Sequence, residues 1–250
     1  MIEKFLARIE DNYYFHMVAI CGFLSLLFFL LLDKKKRRDH YILVPFLLVM
    51  LVNFYEVMAT FMVVNKPINE IFHRLLTDEP FLGWNAWVYN IFYYQVSKLG
   101  LLLLIGINLK KALSKKIVLI LGIVFLLYCI YPYFSKTYPI HGIQQPILYF
   151  LGNTILIIAS GLFFMDLITE EYFIEINPLA YLPFWYITII MFHSVIVFMA
   201  DVAIEYLTFE NTRVYYMFNL VSRVLYVILL SVFTFLIFTG KNFISRTVHT

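Results

Sequence analysis

The strongest constraint on this chain is a series of unbroken apolar runs. A helix that crosses lipid needs about 20 mostly apolar residues. Seven runs of that kind can be drawn: Tyr14–Leu32, Tyr41–Val64, Ala86–Leu109, Ile117–Phe134, Ile147–Ile168, Phe184–Leu207 and Phe218–Gly240. Polar segments such as DKKKRRDH (33–40) and KKALSKK (110–116) separate them. The runs are continuous rather than alternating over about 10 residues, which argues against barrel strands. In lipid a helix satisfies its own backbone hydrogen bonds within one segment. The predicted fold class is therefore an all-α membrane protein, a seven-transmembrane-helix bundle, with residues 1–250 as one polytopic domain.

Composition agrees. Hydrophobic residues make up 62% of the chain and charged residues 14%, against about 45–50% and 25% in soluble domains. The apolar excess has no partner except lipid. It excludes a soluble enzyme, a nucleic-acid-binding domain and a disordered chain. Cys21 and Cys129 both fall inside apolar runs, which argues against a disulfide, and they offer no metal-ligand spacing.

Lysine and arginine set the expected orientation. With the N-terminus outside, the cytoplasmic segments hold 11 of them and the outer segments 6, with Lys98 and Arg223 left in the membrane. The bias is strongest where the first run meets Lys34–Arg38, and it predicts a cytoplasmic C-terminus in the plasma (inner) membrane. The connection holding Glu170, Glu171 and Glu175 has no basic residue, but acidic residues weigh little in this rule. The first dozen residues mix Lys4 and Arg8 with Glu3, Glu10 and Asp11, and no small-residue cleavage site follows. The first run is therefore read as a retained helix rather than a signal peptide. The longest connection, 65–85, has space for one short helix, Ile68–Leu76, and then a Pro-Phe-Leu-Gly turn. No connection holds a soluble domain, so any message to the cytoplasm must pass to a separate partner.

Ionisable groups inside lipid are costly, and each one is a candidate site. The second run carries Asn53, Glu56 and Thr60 on one helical face. The third carries Gln95 and Lys98, with Asn90 and Tyr94 on the same side. The fifth carries Asn153 and, near its inner end, Asp166. The sixth carries His193, Ser194, Asp201 and Glu205. The seventh carries Asn219, Ser222, Arg223 and Tyr226. At about 1.5 Å per residue, Lys98 lies near the midplane, and Glu56, Asn153, Asp201 and Arg223 lie roughly 4–9 Å toward the outer side. Matching depths favour Glu56 with Lys98 and Asp201 with Arg223. Three readings follow: ion pairs that hold the bundle together, a polar pocket opening outward, or a proton or ion path. The path is poorly supplied, because only His193 and Asp166 fall in the inner half. Trp84, Trp87, Tyr89, Tyr93, Tyr131, Tyr133, Tyr138, Tyr215 and Tyr216 gather at the predicted outer interface, as an aromatic belt would.

Several chemistries are excluded. No HExxH motif or His/Asp cluster exists for an intramembrane metalloprotease. Ser160 and His193 lack the GxSxG context of a rhomboid-type dyad, and Ser160 sits in a close-packing Ala-Ser-Gly context. The seventh run has no lysine before Lys241, which removes the retinal attachment of microbial rhodopsins. Asn177-Pro178-Leu179-Ala180-Tyr181 spells the NPxxY of G-protein-coupled receptors, but it precedes the sixth run and reads as a turn.

The runs NAWVYNIFYYQVSKLGLLLLIGINLKK (85–111), LGNTILIIASGLFFMDLI (151–168), NPLAYLPFWYITIIMFHS (177–194) and NLVSRVLYVILLSVF (219–233) carry a further likeness. Across the third to seventh runs the chain resembles short seven-helix proteins of Bacteroidota, which are similar to membrane sensor portions associated with histidine kinases. In them a Pro-x-Phe-Trp-like segment starts the sixth helix. Pro183-Phe184-Trp185 stands here without the intervening residue. The resemblance implies a signalling or accessory role and supplies no catalytic residues.

The expected function is a non-enzymatic sensor or receptor-like membrane protein without a cofactor. Its partners would be the bilayer, a membrane or cytoplasmic protein, and a small polar or amphipathic ligand, with no nucleic acid. The ligand or switch residues would be Glu56, Lys98, Asn153, His193, Asp201, Arg223, Asn53 and Tyr226. The alternatives are a structural subunit or assembly factor of a larger complex, and a small-solute or ion transporter. The latter is disfavoured by the lack of an inverted repeat.

Overall fold

Each apolar run folds into a helix whose polar neighbours begin or end it. The computed structural model describes residues 2–174, 177–202 and 210–240. Among these there is no strand. We label the main helices α1 (Ile2–Ile9), α2 (Tyr13–Leu31), α3 (His40–Val64), α4 (Lys66–Leu76), α5 (Ala86–Asn108), α6 (Ala112–Tyr133), α7 (Pro146–Thr169), α8 (Leu182–Val202) and α9 (Thr212–Thr239). The seven helices α2, α3 and α5–α9 are long and apolar enough to cross a membrane. Side chains placed just outside the apolar runs cap them. Asn12 accepts the Phe15 N–H at 3.1 Å, and Asp39 accepts the Tyr41 N–H at 3.0 Å. Each satisfies a backbone donor that a helix start leaves without a partner. At the other extreme, α9 ends in Gly240, whose φ of 57° lets the chain turn out of the helix.

The helices α2, α3, α5, α7, α8 and α9 form a closed ring, each packed on the next, with α9 returning to α2. Helix α6 lies outside this ring, against α5 and α7. This position explains why α6 is the least buried of the seven and α2 the next least. Close approach of α2 and α3 depends on Gly22, because a Cβ there would collide with the Asn53 side chain. Asn53 itself donates to the Val49 carbonyl of its own helix at 2.9 Å.

The structure extends several sequence expectations. Helix α9 begins at Thr212, six residues before the predicted Phe218. Its 28 residues exceed the length that the hydrocarbon requires. Helix α4 starts at Lys66 rather than Ile68, with Pro67 in its first turn. Residues 2–9, to which the sequence assigned no element, form helix α1 beside α3. The predicted end of the sixth span, with Glu205, lies outside the described residues, as do Glu175, Lys241 and Arg246.

The nine residues Tyr89–Ser97 of α5 form a π-helix between two α-helical segments. Such i→i+5 geometry is rare and is frequent at functional sites. Here it lies where the bundle opens.

Candidate functional site

A cavity of about 420 Å³ opens at the end of the bundle that carries α1. Its mouth is bordered by Asn12 before α2, Ala86 at the start of α5, Ile143, Asp201 near the end of α8, and Tyr215 in the first turns of α9. Deeper, the wall is formed by Tyr55 and Glu56 of α3, Tyr93 of α5, His193 of α8, and Ser222, Arg223 and Tyr226 of α9. The π-helix contributes four consecutive-turn residues, Tyr89, Asn90, Tyr93 and Tyr94. Tyr14 and Tyr149 complete a wall unusually rich in tyrosine.

Two groups of polar contacts organise it. On one side the Glu56 carboxylate accepts from Tyr14 at 3.5 Å and from Tyr89 at 3.4 Å. The Arg223 guanidinium lies over the Tyr14 ring, 5.8 Å from its centroid. Tyr14 thus lies beside both charges. On the other side Lys98 Nζ donates to Asn153 Oδ1 at 2.6 Å, and Asn153 Nδ2 donates to Asp201 Oδ2 at 3.4 Å. Lys98 is only 1% exposed and lies against Gly152, where a Cβ would come within 3.5 Å of its Cγ. Its ammonium also faces the Tyr93 ring at 5.2 Å, a favourable cation–π geometry.

Between these groups, His193 Nε2 lies 3.1 Å from Ser222 Oγ and 3.5 Å from the Tyr93 hydroxyl. Its ring stacks on Tyr226 with centroids 5.1 Å apart, and Tyr55 donates to the Tyr226 hydroxyl at 3.3 Å. One continuous polar layer thus joins α3, α5, α8 and α9.

Of the sequence-predicted residues, Glu56, His193, Asp201, Arg223 and Tyr226 line the cavity. Lys98 and Asn153 lie behind the wall and act on it through Asp201. Asn53 is not brought in, because it faces the α2 contact at Gly22. Neither favoured pair forms a salt bridge; Asn153 instead bridges Lys98 to Asp201, and the Glu56 carboxylate is held by Tyr14 and Tyr89. Both expected pairs lie on helices that pack together, α3 on α5 and α8 on α9, so equal depth does not decide which way each side chain turns about its helix axis. No direct ion pair forms among these four charges. Among the described residues Arg74 pairs with Glu70 and His141 Nε2 lies 2.9 Å from Glu79 Oε2, both outside the spans.

Other intramembrane polar residues serve the frame. Asn90 donates to the Ile140 and Gly142 carbonyls, each at 2.8 Å, and accepts from Tyr149 at 2.9 Å. This pins the 135–145 connection over the cavity rim. Gln95 donates to the Cys129 carbonyl at 3.2 Å, tying α5 to α6. Asp166 is fully buried and accepts the Lys110 and Lys111 N–H groups at 2.9 and 3.0 Å and Ser114 Oγ at 2.6 Å. Trp87, placed by the sequence in an interfacial belt, is buried. It donates to Asn69 Oδ1 at 3.0 Å and stacks on Phe72 of α4. Tyr89 and Tyr93 likewise turn inward to the cavity. The sequence signal for this was present in the Tyr-Asn-x-x-Tyr-Tyr spacing, but it suits an outer belt equally well.

Among the described residues no group of three or more His, Cys, Asp or Glu side chains is placed to share a metal ion. No family model matches the chain, and neither a curated protein nor a solved structure matches it.

Proposed function

We propose that this protein is a receptor-like membrane sensor whose cavity binds a small polar or amphipathic ligand on the outer side. The reading places the N-terminus outside, as the distribution of lysine and arginine favours. The observation that carries it is the state of the charges. Arg223 makes no hydrogen bond or ion pair among the described residues, and Asp201 makes one hydrogen bond, at 3.4 Å. Charges kept only to hold helices together are expected in direct contact, whereas Arg223 is exposed and Asp201 partly exposed. Here they surround an open cavity instead.

Signalling follows from the layer at His193. It links four helices through hydrogen bonds of 3.1–3.5 Å and ring contacts. A ligand that binds two arrangements of this layer differently shifts their populations. The shift would be read at the far end by a separate cytoplasmic or membrane partner.

The test is the small-molecule content of the purified protein. Ala200 lines the cavity, so Ala200→Phe should fill part of it. Extracts of wild type are expected to contain a low-molecular-weight compound that Ala200→Phe lacks at unchanged elution volume. Identical extracts, with a fixed stoichiometric protein partner in both, would favour the subunit reading.

A further inference from the structure

We infer that the ligand of this cavity is a compact zwitterion, carrying an ammonium group and an oxyanion such as a carboxylate or phosphate. The inference rests on the receptor reading above and assigns its ligand class. A guanidinium offers five donors and a carboxylate about four acceptor positions. Arg223 uses none of its donors on described residues, and Asp201 uses one acceptor position. Both line the same cavity. A simple cation answers Asp201 and leaves Arg223 without an acceptor, and a simple anion does the reverse. A ligand with both signs meets both.

The surroundings sort the two ends. Arg223 stands near Ser222, His193 and Asn219, which offer further polar groups to an oxyanion. The Glu56 carboxylate, which lines the same cavity, is held by the Tyr14 and Tyr89 hydroxyls. Asp201 lies with Tyr94 and Tyr149, whose rings stack with centroids 3.7 Å apart. Aromatic faces beside a carboxylate favour an ammonium group. The charges also balance. In formal charge Glu56 and Asp201 stand against Arg223 and Lys98, and a ligand without net charge adds to neither side. A cavity of about 420 Å³ is in the range of small-molecule sites.

This chemistry has two sources, free amino acids and the headgroup of phosphatidylethanolamine. Thermal unfolding of the purified full chain separates them. One arm adds the L-amino acids one by one. A second supplies phosphatidylethanolamine in nanodiscs against phosphatidylglycerol. Choline, acetate and glucose are the charge controls. The expected result is stabilisation by members of one zwitterionic arm and by none of the controls. Asp201→Asn and Arg223→Gln are each expected to weaken that binding about 10- to 100-fold, the loss of one charged hydrogen-bonding partner. Stabilisation by choline or acetate alone overturns the zwitterion and leaves the receptor reading standing. Zwitterion binding that both variants keep at full strength also overturns it. If no arm and no control binds, the inference and the receptor reading fall together.

Discussion

Replacing Asp166 with alanine is expected to lower the stability of the bundle by about 3 kcal/mol or more. Its carboxylate accepts two consecutive backbone N–H groups and one hydroxyl, all within 3.0 Å. These bonds fasten the turn between α5 and α6 to the half of α7 away from the cavity. Removal orphans three donors in a site where Asp166 and Ser114 are buried. Each orphan costs about 1–3 kcal/mol, less whatever water recovers. Asp166→Asn keeps one carbonyl acceptor and should lose roughly half as much. Thermal unfolding in detergent measures both. An alanine variant as stable as wild type would show that the turn is held by packing alone. Because Asp166 lies far from the cavity mouth, ligand binding to the folded fraction should be unchanged.

Asn153→Leu is expected to be as damaging, for a different reason. Asn153 is fully buried, and its Oδ1 is the hydrogen-bond acceptor of a lysine that is itself 1% exposed. Leucine keeps the volume and removes the acceptor, leaving an ammonium buried without a partner. Breaking a buried charged contact in this way costs about 3–5 kcal/mol. Lys98→Met together with Asn153→Leu removes the charge as well and should recover much of the loss. The double variant is therefore expected to be more stable than Asn153→Leu alone. Simple additivity of the two single effects would mean that Lys98 and Asn153 are not coupled.

The spans were legible because lipid imposes a length and a polarity that few other environments impose. Runs such as Tyr41–Val64 and Ile147–Ile168 can hardly be anything else, and α3 and α7 match them within two residues at each end. The candidate residues were legible for the related reason that an ionisable group in such a run is costly and therefore retained for some contact. Glu56, Asp201 and Arg223 were found on that ground alone. Their partners were not, because depth along a helix says nothing about which way a side chain turns about the helix axis. The same ignorance hid Asn53, whose polar side chain belongs to a helix contact made close by Gly22. Two features left almost no trace. The π-helix of Tyr89–Ser97 reads as an ordinary apolar-aromatic helix, since its apolar content suits either geometry. Trp87 reads as an interfacial anchor, and only the fold of α4 and the Asn69 acceptor show it to be buried.

The central claim is an outward-opening cavity among α3, α5, α8 and α9, and thiol accessibility tests it most directly. Cys21 and Cys129 are free and buried, and both can be replaced by alanine to give a background without thiols. Val197→Cys then places one thiol on the cavity wall, and Ser160→Cys places one in a fully buried position away from it. A membrane-impermeant thiol reagent is added to intact cells. The account predicts that Val197→Cys is labelled from outside, that Ser160→Cys is not, and that Ala200→Phe slows the Val197→Cys reaction. Labelling of Val197→Cys only after the cytoplasmic side is opened, or at the rate of Ser160→Cys, would contradict it.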